Sequence, residues 1–349
     1  MTHDPDLERT IREMLFRDLK RKTRAIQQLK GGRNSRVFRV ECEDGPAVAV
    51  KAYFKSANDP RDRIGCEFRA LRFLRSEGLR EIPVPLAMDA AHGIAAYEFA
   101  AGQPLRRGEA GEAEVDQAVT FLRTLKVIAD SGRAGDFPAA SEACFSIAAI
   151  LQNLDSRCRR LDEASASHPE LADFLRNEIL PFLKLAEQQC RDLCRESRIA
   201  PDAEIPLSER SLSPSDFGFH NALRGADGRL VFLDFEYFGW DDPAKTVADF
   251  CLHPAMQLPV ALRRRFFSGM MEAFPGVPEL ARRVRAVYPL FGLKWCAILL
   301  NEFTLDDLAR RCFADGKAKT SRSKNAQLQK ARLMLAQVKN DCHDFPGHP

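Results

Sequence analysis

The amino-acid sequence predicts an α+β protein, with its strands gathered in the first third of the chain and helices through most of the rest. Two observations carry this. Residues 25–102 hold short alternating runs, among them Arg36-Val37-Phe38-Arg39-Val40 and Ala47-Val48-Ala49-Val50-Lys51-Ala52-Tyr53-Phe54, set apart by glycine and proline turns. Residues 112–198, and later 261–274, 278–300, 304–313 and 321–338, repeat apolar residues at helical spacing instead. The expected organisation is an N-terminal helix in 1–24, a five-stranded antiparallel sheet with one helix in 25–102, and a large helical domain in 103–349.

Composition narrows the function classes. The chain has 349 residues, 45% hydrophobic and 29% charged, with a formal net charge of only +3. Such a chain is long enough for sizeable cores. Its basic and acidic residues are interspersed, so no footprint for nucleic acid and no polybasic membrane segment is expected. No apolar run reaches the length of a membrane span, and Met1-Thr2-His3-Asp4-Pro5-Asp6 lacks a signal peptide's apolar core. The ten cysteines are scattered with no Cys-x-x-Cys, which favours reduced thiols and a cytoplasmic protein.

In chain order, residues 5–24 present Leu7, Ile11, Met14, Leu15 and Leu19 on one helical face. Gly31-Gly32-Arg33-Asn34-Ser35 then turns between two strands. Glycines there let backbone N–H groups approach an anion, although an ordinary glycine hairpin reads the same way. Lys51 lies inside an apolar strand, where a charge is expensive unless paired. Glu67 sits one turn into the helix at 63–76. Residues 93–102 read as a last strand running into Gly102, and Pro104 closes the segment. Between 112 and 198 lie three apolar helical faces with a kink or boundary expected at Pro181.

The chemistry-bearing stretch is 212–250. Asp216 is followed five residues later by Asn221, then by the apolar run Leu230-Val231-Phe232-Leu233, then by Asp234-Phe235-Glu236-Tyr237. A loop acid can orient a hydroxyl and accept its proton. A nearby amide and a strand-terminal acid can hold Mg²⁺ on a nucleotide's phosphates. Asp-x-x-x-x-Asn alone is also what turns look like. What strengthens it is the strand that delivers the second acid.

Taken in order, these features resemble the aminoglycoside phosphotransferase and choline kinase family, the small-molecule branch of the protein-kinase-like fold. The resemblance covers about residues 25–250, and the Asp234–Tyr237 wording looks most like the choline and ethanolamine kinases. It implies a bilobal fold with a small antiparallel N-lobe and a large helical C-lobe. It also implies ATP and Mg as cofactors and a small-molecule hydroxyl as acceptor. Asp216 is then the catalytic residue, and Asn221 and Asp234 the metal ligands. Gly31, Gly32, Asn34 and Ser35 are expected over the phosphates, Lys51 on them with Glu67 as its partner, and the backbone of Glu98 and Ala100 against the adenine. An acid at Asp249 braces the catalytic loop in similar segments.

There are departures. Where the family writes His-Gly-Asp, this chain has Pro214-Ser215-Asp216, and Gly218 replaces a second loop histidine, while His220 precedes Asn221. The alternative is accordingly a nucleotide-binding pseudokinase with a regulatory role, with a helical interaction module as a third reading. Amino alcohol, amino sugar and sugar stay open as acceptors, as does the oligomeric state. Acids interleaved with aromatics, Glu236, Asp241 and Asp242 with Tyr237, Phe238 and Trp240, and Glu302, Asp306 and Asp307 near Trp295 and Phe303, favour an ammonium group on the acceptor. Caps on the following helix read the same way.

Overall fold

The computed structural model describes residues 4–29, 35–54, 61–277, 279–304 and 321–344. Gly31, Gly32 and Asn34, most of the helix expected at 304–313, and Asp306 and Asp307 lie outside the described residues. The chain divides into two units, one of residues up to Pro104 with Asn221–Phe238, the other of Leu105–His220 with the described residues from Gly239 onward.

The first unit is built on five antiparallel strands in the order β1-β2-β3-β5-β4: β1 Thr23–Gln28, β2 Ser35–Cys42, β3 Val48–Tyr53, β4 Pro85–Asp89 and β5 Ile94–Glu98. Alternation gives β3 two different faces. Val48, Val50 and Ala52 point into a core shared with Phe38, Val40, Ile94 and Ala96, whereas Lys51 projects to the other side. Helix α1, Pro5–Leu19, covers the first face with Ile11, Met14 and Leu15, each at most 1% exposed. The sequence showed that apolar stripe without showing its partner. Asp4 starts the helix by accepting the Leu7 N–H at 3.2 Å, and Lys20 ends it in a left-handed conformation. Helix α2, Arg63–Ser76, supplies Glu67 to the Lys51 face. The sheet therefore carries two helices, one more than expected within it.

A second, three-stranded sheet in this unit pairs β6, Gln103–Pro104, with β8, Ala222–Arg224, and β8 with β9, Leu230–Phe232. It brings the 221–238 stretch into the first unit.

The second unit is mainly helical: α3 Glu112–Asp130, α4 Ile147–Ser165, α5 Pro169–Phe174, α6 Leu180–Glu196, α7 Pro243–Leu252, α8 Val260–Ala273, α9 Leu280–Leu299 and α10 Ser321–Asp344. The boundary expected at Pro181 appears as a π-helical turn, Leu175–Ile179, between α5 and α6. Proline has no N–H to donate back into the preceding turn, and the helix widens there. Helix α9 is buried on nearly every side by α4, α6, α7 and α10. At Gly292 a Cβ would fall 2.4 Å from Val338 Cγ2, so glycine is what lets α10 close on α9. Two short strands, β7 Ser211–Ser213 and β10 Gly239–Asp241, pair antiparallel and carry the loop containing Asp216. Among the described residues no helix is long and apolar enough to cross a membrane, and no cysteine forms a disulfide.

Candidate active site

In the first unit the structure joins Lys51, Glu67 and Asp234. The register that places Lys51 between Val37 and Ala95 puts it on a central strand, facing α2. Its ammonium donates to Glu67 Oε2 at 2.7 Å and to Asp234 Oδ1 at 2.9 Å. Burial works against that charge, but Asp234 and then Glu67 outweigh it and raise the Lys51 pKa well above the ordinary lysine value. Glu67 is held from three sides. It also accepts the Tyr53 hydroxyl at 2.6 Å and the Phe235 N–H at 3.3 Å. Tyr97 backs Tyr53, hydroxyl to hydroxyl at 2.7 Å. Burial and the Glu67 charge push both phenols well up, so both stay neutral donors.

Asp234 follows β9 with a φ of +68°, a left-handed backbone that Asp tolerates better than most residues. Asn221 lies at the same end of the β8–β9 ladder. Its carbonyl accepts the Leu233 N–H at 2.8 Å, next to the Ala222–Phe232 pair. Glu67, Asp234 and Glu236 each bring a carboxylate oxygen within 4.8 Å of the others. Hard oxygen donors gathered in this way fit Mg²⁺. Asp234 is the accessible member at 33% exposure, while Glu67 and Glu236 are buried against Lys51 and Arg63 at 4% and 1%.

The expected adenine edge is the end of β5. The Glu98 N–H is already donated to the Val84 carbonyl at 2.8 Å, so it is not an adenine donor in this arrangement. Ser35 opens β2 and is buried, opposite Tyr53 in the register.

In the second unit Asp216 sits against two histidines. His220 Nε2 lies 3.2 Å from Asp216 Oδ1 and His253 Nε2 lies 3.3 Å from the same oxygen. The two rings stack, centroids 3.8 Å apart and planes 5° from parallel. Burial would raise the Asp216 carboxyl, but the two imidazoles, His220 first, outweigh it and hold it well below the usual carboxylate range. These three side chains also lie within metal-ligand reach of one another. Yet an ion in the plane of one stacked ring is out of the plane of the other, so the pair does not suit a common ion. Gly218 makes room for His220: a Cβ there would fall 2.7 Å from Met256 Sδ and 2.8 Å from His220 Nδ1.

Helix α7 begins at Asp242, which accepts the Ala244 N–H at 2.8 Å, with Pro243 in the first helical position. Lys245 is 1% exposed and donates to Asp241 at 2.8 Å and to Ser215 Oγ at 3.3 Å, and it pairs with Asp249 at 3.1 Å. Asp249, expected beneath the catalytic loop, meets it through Lys245 and also accepts the Trp295 N–H at 2.9 Å. Burial pushes the Asp241 carboxyl up and Lys245 only partly offsets it; for Lys245 two carboxylates outweigh burial and raise its pKa.

Of the acids expected to greet an ammonium group, those among the described residues are engaged elsewhere. Glu236 lies 3.6 Å from Arg63, Asp241 is on Lys245, and Asp242 is 2.6 Å from Arg283, with all three carboxylates at most 1% exposed. Glu302 accepts from Gln327 at 3.0 Å. Acids between aromatics were read as a pocket because sequence does not show which arginines and lysines fold onto them.

Sequence reasoning also missed Tyr53, Tyr97, Lys245 and His253. The last two had a signal: Asp241, Lys245, Asp249 and His253 recur every fourth residue, one stripe along a helix.

A family model described as phosphotransferase enzyme family matches residues 25–281. Among solved structures, spectinomycin phosphotransferase APH(9)-Ia, in complex with ADP and spectinomycin, superposes with a TM-score of 0.63 at 13% identity, over 97% of this chain and 98% of that one. Choline kinase LicA from Streptococcus pneumoniae gives 0.60 at 16% identity, over 95% and 99%. ADP-bound aminoglycoside phosphotransferase APH(2'')-Ib gives 0.55 at 14% identity, over 98% and 100%. No curated protein matches the sequence. The fold is thus the protein-kinase-like α+β arrangement expected from the strand and helix pattern. With the matched segment spanning most of the chain, this protein belongs to the phosphotransferase enzyme family.

Proposed function

We propose that the chain transfers a phosphoryl group from Mg·ATP to a hydroxyl of a small molecule. The observation that carries this is the Lys51 ammonium held between Glu67 and Asp234, in a chain of the phosphotransferase family. A lysine fixed in this way presents a positioned charge to phosphates, and phosphoryl transfer is mostly positioning and charge stabilisation. Gly31, Gly32, Asn34 and Ser35 would cover the phosphates. The Glu98 carbonyl and the Ala100 N–H would meet the adenine edge. Asn221 and Asp234 would hold Mg²⁺, whose chemistry is to neutralise charge on the phosphates. Asp216, ionised, would orient the acceptor hydroxyl. In this division of labour residues 25–102 serve the nucleotide, Asn221 and Asp234 join them through Mg²⁺, and Asp216 with the rest of 103–349 serves the acceptor.

Among the neighbouring structures are complexes with ADP, AMP or ATP, one of them also with spectinomycin and one with streptomycin. For this chain the acceptor is proposed by its hydroxyl alone, because Glu236, Asp241 and Asp242, three of the acids first read as an ammonium pocket, are committed to Arg63, Lys245 and Arg283. The first test is Mg·ATP binding by calorimetry and thermal shift, since a ligand of the native state raises the melting temperature. Absence of both heat and shift at millimolar Mg·ATP removes the nucleotide reading.

A further inference from the structure

Asp216 lies in a loop held partly from within and partly from outside. Ser215 has a φ of +68°, an uncommon conformation for serine that persists only where surroundings impose it. Within the loop, Ser215 donates its N–H to Ser213 Oγ at 3.0 Å and Asp216 donates its N–H to the Pro214 carbonyl at 2.9 Å. Proline at 214 offers neither a side-chain donor nor an N–H.

Besides His220, whose Nε2 lies 3.2 Å from Asp216 Oδ1, the loop is gripped by two residues further along the chain, Lys245 in α7 and His253 just after it. On one side the buried Lys245 ammonium donates to Ser215 Oγ. On the other, His253 faces Asp216. His253 Nδ1 accepts the Ala255 N–H at 3.2 Å, so a neutral ring carries its proton on Nε2, the nitrogen 3.3 Å from Asp216 Oδ1. The two grips are joined. Lys245 pairs with Asp249, Asp249 accepts the Trp295 N–H, and Trp295 stands edge-on to the His253 ring, centroids 4.5 Å apart and planes at 78°. The contacts run Ser215, Lys245, Asp249, Trp295, His253, Asp216, a circuit that leaves the loop at one residue and returns at the next.

We propose that Lys245 and His253 are positioning residues for Asp216: Lys245 fixes the strained Ser215, and His253, locked as its Nε2–H tautomer, fixes the rotamer of the Asp216 carboxylate. This rests on the reading of Asp216 as the group that orients the acceptor hydroxyl. Structural packing alone asks only for a residue of the right size at 253. Positioning asks for an N–H aimed at Asp216 Oδ1.

The test compares His253→Gln, whose amide N–H can replace Nε2–H, with His253→Leu, similar in bulk but without a donor. Turnover is read as ADP release and nucleotide affinity by calorimetry. The expected result is a loss of roughly 100-fold in kcat for Leu, the scale of a misplaced reacting group. The nucleotide Kd stays within about three-fold, and Gln recovers at least roughly ten-fold over Leu. A Leu variant as fast as wild type, or Gln and Leu equally slow, overturns the proposal. Lys245→Met should lower kcat in the same direction, and wild-type kcat in that variant would also count against it. Long-range ¹H–¹⁵N spectra of the unmodified protein test the placement without turnover: Nε2–H at His253 is expected, and Nδ1–H overturns it. A wild type that binds no nucleotide and releases no ADP would instead sink the phosphotransfer reading, while the tautomer still tests the geometry.

Discussion

Lys51→Met should separate the structural and the ligand-binding work of one side chain. The Lys51 side chain is 12% exposed, and its ammonium is bonded to Glu67 at 2.7 Å and Asp234 at 2.9 Å. Without it, the Glu67, Asp234 and Glu236 carboxylates, within 4.8 Å of one another, lose a shared cation, while Arg63 stays beside Glu236. Breaking one partner out of a buried pair costs about 3–5 kcal/mol. Asp234 is a third exposed, and solvent screening on that side reduces the expected loss to about 2–3 kcal/mol. The Lys51 pKa is raised in the folded state, so its contribution is fully present at neutral pH and fades only as pH rises through that higher value. Melting should therefore fall by several degrees at pH 7. Loss of a charge-assisted bond to phosphate, about 1.5–3 kcal/mol, should weaken Mg·ATP by roughly 10- to 150-fold in a calorimetric titration. Adding Glu67→Gln should return about 1 kcal/mol of the stability, since it removes one of the stranded charges. A Lys51→Met protein that melts like wild type and binds Mg·ATP within three-fold would refute the reasoning.

Other outcomes follow from the same contacts. Asp234→Asn should weaken nucleotide binding in Mg²⁺ but scarcely in its absence, measured by calorimetry with and without the metal; equal losses in both would count against the metal role. Glu142 is held down to about 2 because Lys294 and Arg157 outweigh the effect of burial. Its stabilisation is therefore present above the ordinary carboxylate value and lost as pH falls from about 4.5 toward 2. With 33% of that side chain exposed, about 1–2 kcal/mol is at stake, and Glu142→Gln should flatten acid unfolding across that window. Gly218→Ala should shift the His220 ring and destabilise by about 1–3 kcal/mol in denaturant unfolding, because Met256 and His220, itself stacked on His253, leave no room for a methyl group.

The sequence made the sheet and the first half of the site legible because both are written in local pattern. Alternation around Lys51 exposes one charge on an otherwise apolar strand, and the helix that follows carries Glu67 at the turn where it can answer that charge. The strand before Asp234 delivers it for the same reason. Long-range partners were not legible. That α1 packs on Val48, Val50 and Ala52 depends on which apolar stripe meets which strand face, and any helix of that pattern reads alike. The acids at 241 and 242 look like a cation pocket until Lys245 and Arg283 are placed on them. Pro214 reads as a missing brace because the Lys245 contact to Ser215 comes from a helix more than twenty residues further on. Its every-fourth-residue stripe was visible, but ionic pairs at that spacing usually lie on solvated helix faces.

The most direct measurement is product formation: Mg·ATP with a panel of amino alcohols, amino sugars and sugars, each acceptor examined by mass spectrometry for added phosphate, in wild type and Asp216→Asn. The expected result is phosphate on at least one hydroxylated acceptor with wild type. Asp216→Asn should yield none, although it binds Mg·ATP as tightly. Phosphorylated acceptor formed equally by both proteins, or a wild type that neither binds Mg·ATP nor modifies any acceptor, would contradict phosphotransfer from Mg·ATP, bound with the help of Lys51 and Asp234, to a hydroxyl oriented by Asp216.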